Sequence, residues 1–174
     1  MNDEQNRKIV EDYMTAWSNA DVPKLERLVA DNARFPNPPP GVTPDKKGTI
    51  AMAQQYRAGF PDLKVRFTQW VVQGDHVAVR FVGSGTHKGT FMGIEPTNVR
   101  AETGGIAIVT VKDGKVVEDT TEFDALGLLT KIGAIPPLGE EEAQANPAGA
   151  GRPARPSRPQ GTEQAHKVQG YKQN

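Results

Sequence analysis

The sequence predicts an α+β domain in which a curved antiparallel sheet wraps around three N-terminal helices and a short helix closes the domain. Up to Phe60, apolar residues recur at the three- and four-residue spacing of amphipathic helices. From Leu63 to Phe123 they alternate instead, as they do in β-strands. Two turn-forming dipeptides, Gly74-Asp75 and Asp113-Gly114, divide this second region into paired strands.

Three helices are expected before the strands. The first runs from Asp3 to Ala20, with its apolar stripe between Ile9 and Trp17. Asp21 should cap the second, because a carboxylate at that position accepts hydrogen bonds from the free N–H groups of the first turn. The third spans Gly48 to Phe60 and stops before Pro61.

A proline-rich stretch separates the second and third helices. Within it, Pro36, Pro38, Pro39 and Pro40 lack a backbone N–H, so they exclude both a helix and a central strand. We therefore expect a rigid loop here, with a short edge strand near Ala33 to Phe35.

The first predicted hairpin pairs Leu63 to Gln73 with His76 to His87. Gly74-Asp75, with glycine first, suits a type II′ turn. Counting pairs outward from this turn puts the following residues on one face: Trp70, Val72, Val77, Val79, Phe81, Gly83, Gly85 and His87.

The second predicted hairpin is formed around Asp113-Gly114, which suits a type I′ turn with positive φ at both residues. With a regular two-residue loop, Ile108 faces Asp119 and Ile106 faces Thr121. The opposite face then carries Val109, Val111 and Val116 together with Glu118 and Glu122. A short apolar helix follows directly after this hairpin.

Asp119 is the strongest functional candidate in this hairpin, since it is a carboxylate on an apolar face. Burial raises the cost of its charge, so such a group has either a partner or a function. The candidate partner in an ion pair is Arg80, Arg100 or another cation at the sheet edge. His87, at the end of the first hairpin, is either an acid, a group that polarises a carbonyl, or a histidine that simply ends a strand.

Composition excludes several classes of function. Lys+Arg and Asp+Glu total 21 each, so no net charge attracts nucleic acid or an anionic membrane. There is no cysteine and the 3 histidines are scattered, so we expect no metal site. No glycine-rich strand-to-helix turn suggests a nucleotide cofactor. The polar N-terminus and the absence of a long apolar run predict a soluble, cytoplasmic protein.

Residues 1–138 are predicted to form the folded domain, and residues 139–174 a disordered tail rich in Pro, Gly, Arg and Gln. Arg152, Arg155 and Arg158 alternate with prolines in this tail and would line one edge of a polyproline helix. The tail either solubilises the domain or docks on an acidic or proline-binding partner.

Six segments together resemble the SnoaL-like polyketide cyclases and ester cyclases of the NTF2-like superfamily. They cover Arg7 to Gly133, and their order and spacing carry the resemblance. In chain order they read DYMTAWSNADVPKLERLVAD, PPPG, FPDLKV, GDHVAVRF, GTHKGTFMGIEPT and DGKVVEDTTEFDALGLLTKIG.

The resemblance implies a cone-shaped cavity, no cofactor, a small apolar carbonyl compound as ligand, and acid/base chemistry on a carbon acid. It also implies a homodimer formed through the outer face of the sheet, for which Val109, Val111 and Val116 are the candidates. In cyclases of this type an aspartate on the last strand moves the proton during an intramolecular aldol closure. That position is Thr121 here, and a family histidine one strand earlier corresponds to Ala107.

Asp119 lies two residues before Thr121 and can replace the missing aspartate as the base. His87, which matches the family in GTHKG, would then stabilise the developing oxyanion. A non-catalytic binding or dimerisation module is the alternative. The residues predicted to line the ligand pocket are Tyr13, Trp17, Phe35, Asn37, Tyr56, Phe60, Trp70, Phe91, Met92 and Thr121.

Overall fold

The computed structural model describes residues 2–136, so the predicted tail and its arginines lie outside the described residues. The helices of this part are α1 (Asp3–Asn19), α2 (Val22–Leu28), α3 (Lys46–Gly59) and α4 (Ala125–Lys131). Each begins after a side chain that accepts a hydrogen bond from its first turn, as predicted for Asp21. None of the helices in residues 2–136 is long and apolar enough to cross a bilayer.

The strands of the described chain are β1 (Val29–Arg34), β2 (Lys64–Gln73), β3 (His76–Thr86), β4 (Arg100–Lys112) and β5 (Lys115–Phe123). These five form one curved, unclosed sheet with the order β1-β5-β4-β3-β2. Strands β2 to β5 are antiparallel, whereas β1 runs parallel to β5 at the edge. The predicted α+β class is confirmed, with a longer edge strand than expected.

Both predicted hairpin turns are confirmed by the backbone. Asp113 and Gly114 have φ of 49° and 77°, the two positive angles that a type I′ turn requires. Gly74 has φ of 57°, while Asp75 has a negative φ, which agrees with a type II′ turn. Local sequence therefore determines where the two long ribbons reverse.

The register of the second hairpin differs from the prediction because β5 contains a bulge. Val111 pairs with Val116, but the next pair is Thr110 with Glu118, so Val117 is the extra residue. Asp119 consequently pairs with Val109 and not with Ile108. A one-residue shift exchanges the two faces of a strand relative to its neighbour.

This shift reverses the predicted faces of β4. Val109, Val111 and Val116 are fully buried in the core, so their predicted position on the outer face is wrong. Ile106 and Ile108 are exposed instead, at 52% and 51%. The homodimer stays a prediction, without the surface first assigned to it.

The core of the described residues consists of two clusters of apolar side chains. The larger one packs α1 and α3 against the concave face of the sheet and includes Val10, Tyr13 and Val109. The smaller one joins α4 to the other end of the sheet around Phe60, Phe91 and other residues. Between them the concave face is left incompletely filled, which creates the cavity described below.

Candidate functional site

A cavity of ≈ 290 Å³ lies against the concave face of the sheet. Helix α1 contributes Tyr13 and Trp17 at i and i+4, and α3 contributes Thr49, Met52 and Tyr56 at i, i+3 and i+7. Most of the other lining side chains are apolar, including those of Phe35, Phe60, Leu63, Val65, Phe81 and Leu128.

Asp119 on β5 borders this cavity, and both of its carboxylate oxygens accept hydrogen bonds. The Tyr13 hydroxyl donates to Oδ2 at 2.8 Å, and the Thr121 hydroxyl donates to Oδ1 at 2.7 Å. Within residues 2–136 no cation forms an ion pair with Asp119. Arg100 lies 3.5 Å from Asp62 instead, and Arg80, opposite the exposed Ile106, is itself exposed.

Burial raises the pKa of Asp119 above its ordinary value. The hydrogen bonds from Thr121 and then Tyr13 favour the charged form and act against this rise, but burial prevails. The carboxylate is therefore a stronger base than one in water, while two donors hold it in a fixed orientation.

Tyr13 is fully buried, and the pKa of its phenol is raised well above the ordinary value by burial and then by the charge of Asp119. A hydrogen bond with Thr49 acts in the opposite direction. The Trp17 indole N–H donates to the Thr49 hydroxyl at 3.2 Å. Tyr13 thus stays protonated and serves as a permanent donor to the carboxylate.

His87 does not reach the cavity, contrary to the hypothesis that it faces Asp119 there. Its side chain is completely buried, and its ring lies 5.3 Å from the ring of Phe60, which borders the cavity. The Thr97 backbone N–H donates to Nδ1 at 3.4 Å. The predicted face was right, but His87 follows the end of β3 and packs among Phe60, Phe91 and the loop around Thr97.

Three other residues predicted for the pocket also lie elsewhere. Trp70 packs against Phe67, with the guanidinium of Arg7 5.2 Å from its ring centre. Phe91 is buried beneath the cavity wall, and Met92 is 58% exposed in the loop after β3. The predicted residues that do border the cavity are Tyr13, Trp17, Phe35, Asn37, Tyr56, Phe60 and Thr121, together with Asp119.

A family model for SnoaL-like polyketide cyclases matches residues 7–132. The chain belongs to the SnoaL-like polyketide cyclase family. No curated protein matches the chain. Solved structures do match it. TsrD from Streptomyces laurentii is 27% identical, with a TM-score of 0.70, over 78% of this chain and 99% of TsrD.

IdmH from Streptomyces antibioticus, described as a candidate polyketide cyclase, is 31% identical over 74% of this chain and 99% of IdmH, with a TM-score of 0.65. AclR from Streptomyces galilaeus, described as a candidate hydroxylase, is 23% identical over 78% of this chain and 100% of AclR, with a TM-score of 0.68. Because the identity to AclR is only 23%, this similarity is evidence for the fold alone.

The predicted pocket did not include Thr49 or Glu122, which both line the cavity of this SnoaL-like chain. Thr49 lies on the cavity face of α3 in line with Tyr56, a spacing that could have revealed it. Glu122 also borders the cavity, although it pairs with the exposed Ile106 and so lies on the outer face of β5. Of the described lining residues, none is Lys, Arg or His.

Proposed function

We propose that this SnoaL-like protein binds a small, largely apolar carbonyl compound in the cavity and deprotonates it with Asp119, catalysing cyclisation or isomerisation without a cofactor. One observation carries the proposal: the Asp119 carboxylate, which has no counter-cation within residues 2–136, borders an apolar cavity, and burial raises its pKa. Such a carboxylate suits proton abstraction next to a carbonyl, because its pKa moves toward neutral pH.

The proposed step requires no reactant besides the ligand and Asp119. Asp119 takes a proton from the carbon next to the carbonyl, and the C–H electron pair forms an enolate. In a cyclisation, that carbon attacks a second carbonyl of the same ligand, a C–C bond forms, and the new alkoxide takes the proton back from Asp119. In an isomerisation, the proton returns to a different carbon.

Tyr13 and Thr121 support this step by positioning the base. Their two hydrogen bonds hold the carboxylate plane fixed before the ligand arrives, so little reorganisation is needed during proton transfer. Each oxygen has a second lone pair, which leaves one free to face the ligand. The donors therefore orient Asp119 without occupying it.

The charges around the cavity favour a neutral ligand. Asp119 contributes a negative charge, and no lining residue among those described supplies a positive one. A carboxylate on the ligand would lose its hydration and meet a like charge. The volume of ≈ 290 Å³ lies near the lower end of ordinary ligand pockets, which favours a compact molecule.

The alternative is a binding module of the same fold that has no catalytic activity. By the resemblance, the family's aspartate position is Thr121 here; the Thr121 hydroxyl donates to Asp119, and His87 lies outside the cavity. Both observations favour loss of the family's acid/base set.

Solvent deuterium exchange into 2-tetralone, a neutral ketone with acidic α-protons, tests the proposal. Proton NMR should detect faster exchange with the wild-type protein than in buffer. The Asp119→Asn variant should lose about 100-fold or more of that acceleration. Thr120→Val, a change on the outer face of the same strand, is the matched control. Equally fast exchange in Asp119→Asn would show that Asp119 is not the base. Binding of 2-tetralone without accelerated exchange in wild type would favour the non-catalytic binding module.

A further inference from the structure

The Tyr56 side chain lies in the cavity wall, held by three aromatic rings. Its ring centre is 5.3 Å from that of Trp17, 4.8 Å from that of Phe91 and 6.3 Å from that of Phe123. Burial raises the pKa of its phenol, so the hydroxyl keeps its proton at physiological pH. Tyr56 is therefore a rigidly placed hydrogen-bond donor beside the ligand space.

Most other side-chain donors around the cavity are already used within the protein. Tyr13 and Thr121 donate to Asp119, and Trp17 donates to Thr49. Two further lining threonines also have internal acceptors, namely Thr43 with Asp45 and Thr103 with the carbonyl of Asp124.

The Tyr56 hydroxyl, in contrast, has no hydrogen-bond partner within residues 2–136. In that part of the chain, the fully buried side-chain polar atoms without a partner are Asn6 Oδ1 and His87 Nε2. The Tyr56 oxygen is not among them, so it keeps some accessible surface. Because Tyr56 borders the cavity, an occupant of the cavity can reach it.

Two other lining residues have uncommitted donors, but their positions differ. Asn37 is exposed in the proline-rich loop. Ser84 pairs with Glu102 on the outer face of the sheet and contacts Arg100. Tyr56 combines partial burial with a free hydroxyl, and a hydrogen bond is strongest where water is excluded.

We propose that the Tyr56 hydroxyl donates a hydrogen bond to the carbonyl oxygen of the ligand and stabilises the enolate that forms there. This inference rests on the proposed function and gives Tyr56 the role that sequence reasoning assigned to His87. Trp17, which contacts Tyr56, lies one helical turn beyond Tyr13 on α1. The ligand would thus lie with its acidic carbon near Asp119 and its carbonyl oxygen toward Tyr56.

A pair of probes with the same shape isolates this hydrogen bond. 9-Fluorenone and fluorene are flat and of similar size, but only fluorenone has a carbonyl, and neither needs deprotonation to bind. The preference is the ratio of the affinity for fluorenone to the affinity for fluorene. This ratio should be about 3- to 10-fold greater in wild type than in Tyr56→Phe. Fluorene affinity should be the same in both proteins, and Thr120→Val, on the outer face of β5, should keep the wild-type preference.

Infrared spectroscopy of bound fluorenone gives a second measurement that needs no comparison of affinities. A hydrogen bond lowers the carbonyl stretching frequency, so the wild-type complex should absorb at lower frequency than the Tyr56→Phe complex. Thermal unfolding should confirm that Tyr56→Phe is folded, since the hydroxyl it removes has no hydrogen-bond partner in the described part of the chain.

The outcomes separate this inference from the proposed function. If wild type and Tyr56→Phe show the same preference and the same carbonyl frequency, Tyr56 is not the donor, while the cavity remains a ligand site. If Tyr13→Phe alone abolishes the preference, the donor is Tyr13. If wild type binds neither probe, both the inference and the proposed ligand class fail.

Discussion

The Tyr13 hydroxyl donates to Asp119 Oδ2 at 2.8 Å and thereby joins α1 to β5 across a separation of 106 residues. The bond depends on the packing of the helix into the concave sheet, because Tyr13 is also part of the core. Any ligand that fills the cavity must lie beside this pair. The stability of the domain and the chemistry of its candidate base are thus connected through one side chain.

Tyr13→Phe is expected to weaken the domain and to alter the base. Loss of a hydrogen bond to a charged group costs about 1–3 kcal/mol in the free energy of unfolding, measured by urea denaturation. The Tyr13 bond lowers the pKa of Asp119, so its removal should raise that pKa further. An unchanged free energy of unfolding would show that the bond contributes nothing in solution.

Thr121→Val should raise the pKa of Asp119, because the Thr121 hydroxyl is the strongest influence that lowers it. The rate of 2-tetralone exchange requires ionised Asp119, so its decline toward acid should begin at a higher pH than in wild type. Thr120→Val, next to it on the outer face, should leave the profile unchanged. Identical pH profiles for Thr121→Val and wild type would show that Thr121 does not influence the pKa of the base.

Asp119 should make the domain less stable as pH rises. Its pKa in the folded state is raised, whereas in the unfolded chain it is about 3.9, so the folded state binds the proton more tightly. As pH rises from about 3.9 through the raised pKa, the free energy of unfolding of wild type should fall relative to that of Asp119→Asn. Above the raised pKa, the difference between the two free energies should stay constant. Urea denaturation of both proteins across this range measures it, and a relative gain by wild type would contradict the raised pKa.

The charge of a ligand should decide whether it binds. Methyl 2-naphthoate and 2-naphthoate share a ring system, but only the second carries a charge at neutral pH. Calorimetry should detect binding of the ester and at least about 10-fold weaker binding of the carboxylate, a difference of about 1.4 kcal/mol. Equal affinities would mean that the charges around Asp119 do not select the ligand.

Features that depend on neighbouring residues could be predicted from the sequence. The dipeptides Asp113-Gly114 and Gly74-Asp75 each specify a hairpin turn, because their glycine readily adopts the positive φ that the turn requires. Asp21 accepts a hydrogen bond from the N–H of Lys24, three positions ahead. These features, together with the change in apolar spacing after Phe60, were sufficient for the fold class.

Features that depend on distant contacts could not be predicted in the same way. No residue type near Val117 indicates the bulge in β5. The bulge nevertheless places Asp119 on the same face as Val109 and leaves Ile108 exposed. The position of Asp119 in an apolar environment was predicted, but on an incorrect register. His87 was given the correct face, while the packing of Phe60 against it could not be foreseen.

A titration of the Asp119 side-chain carboxyl by ¹³C NMR, with the signal assigned by its loss in Asp119→Asn, is the most direct test of a base held in an apolar cavity. We expect the carboxyl to titrate with a pKa above the ordinary value of about 3.9, and higher still in Thr121→Val. A pKa at or below the ordinary value would contradict the account, because the two hydrogen bonds would then outweigh burial.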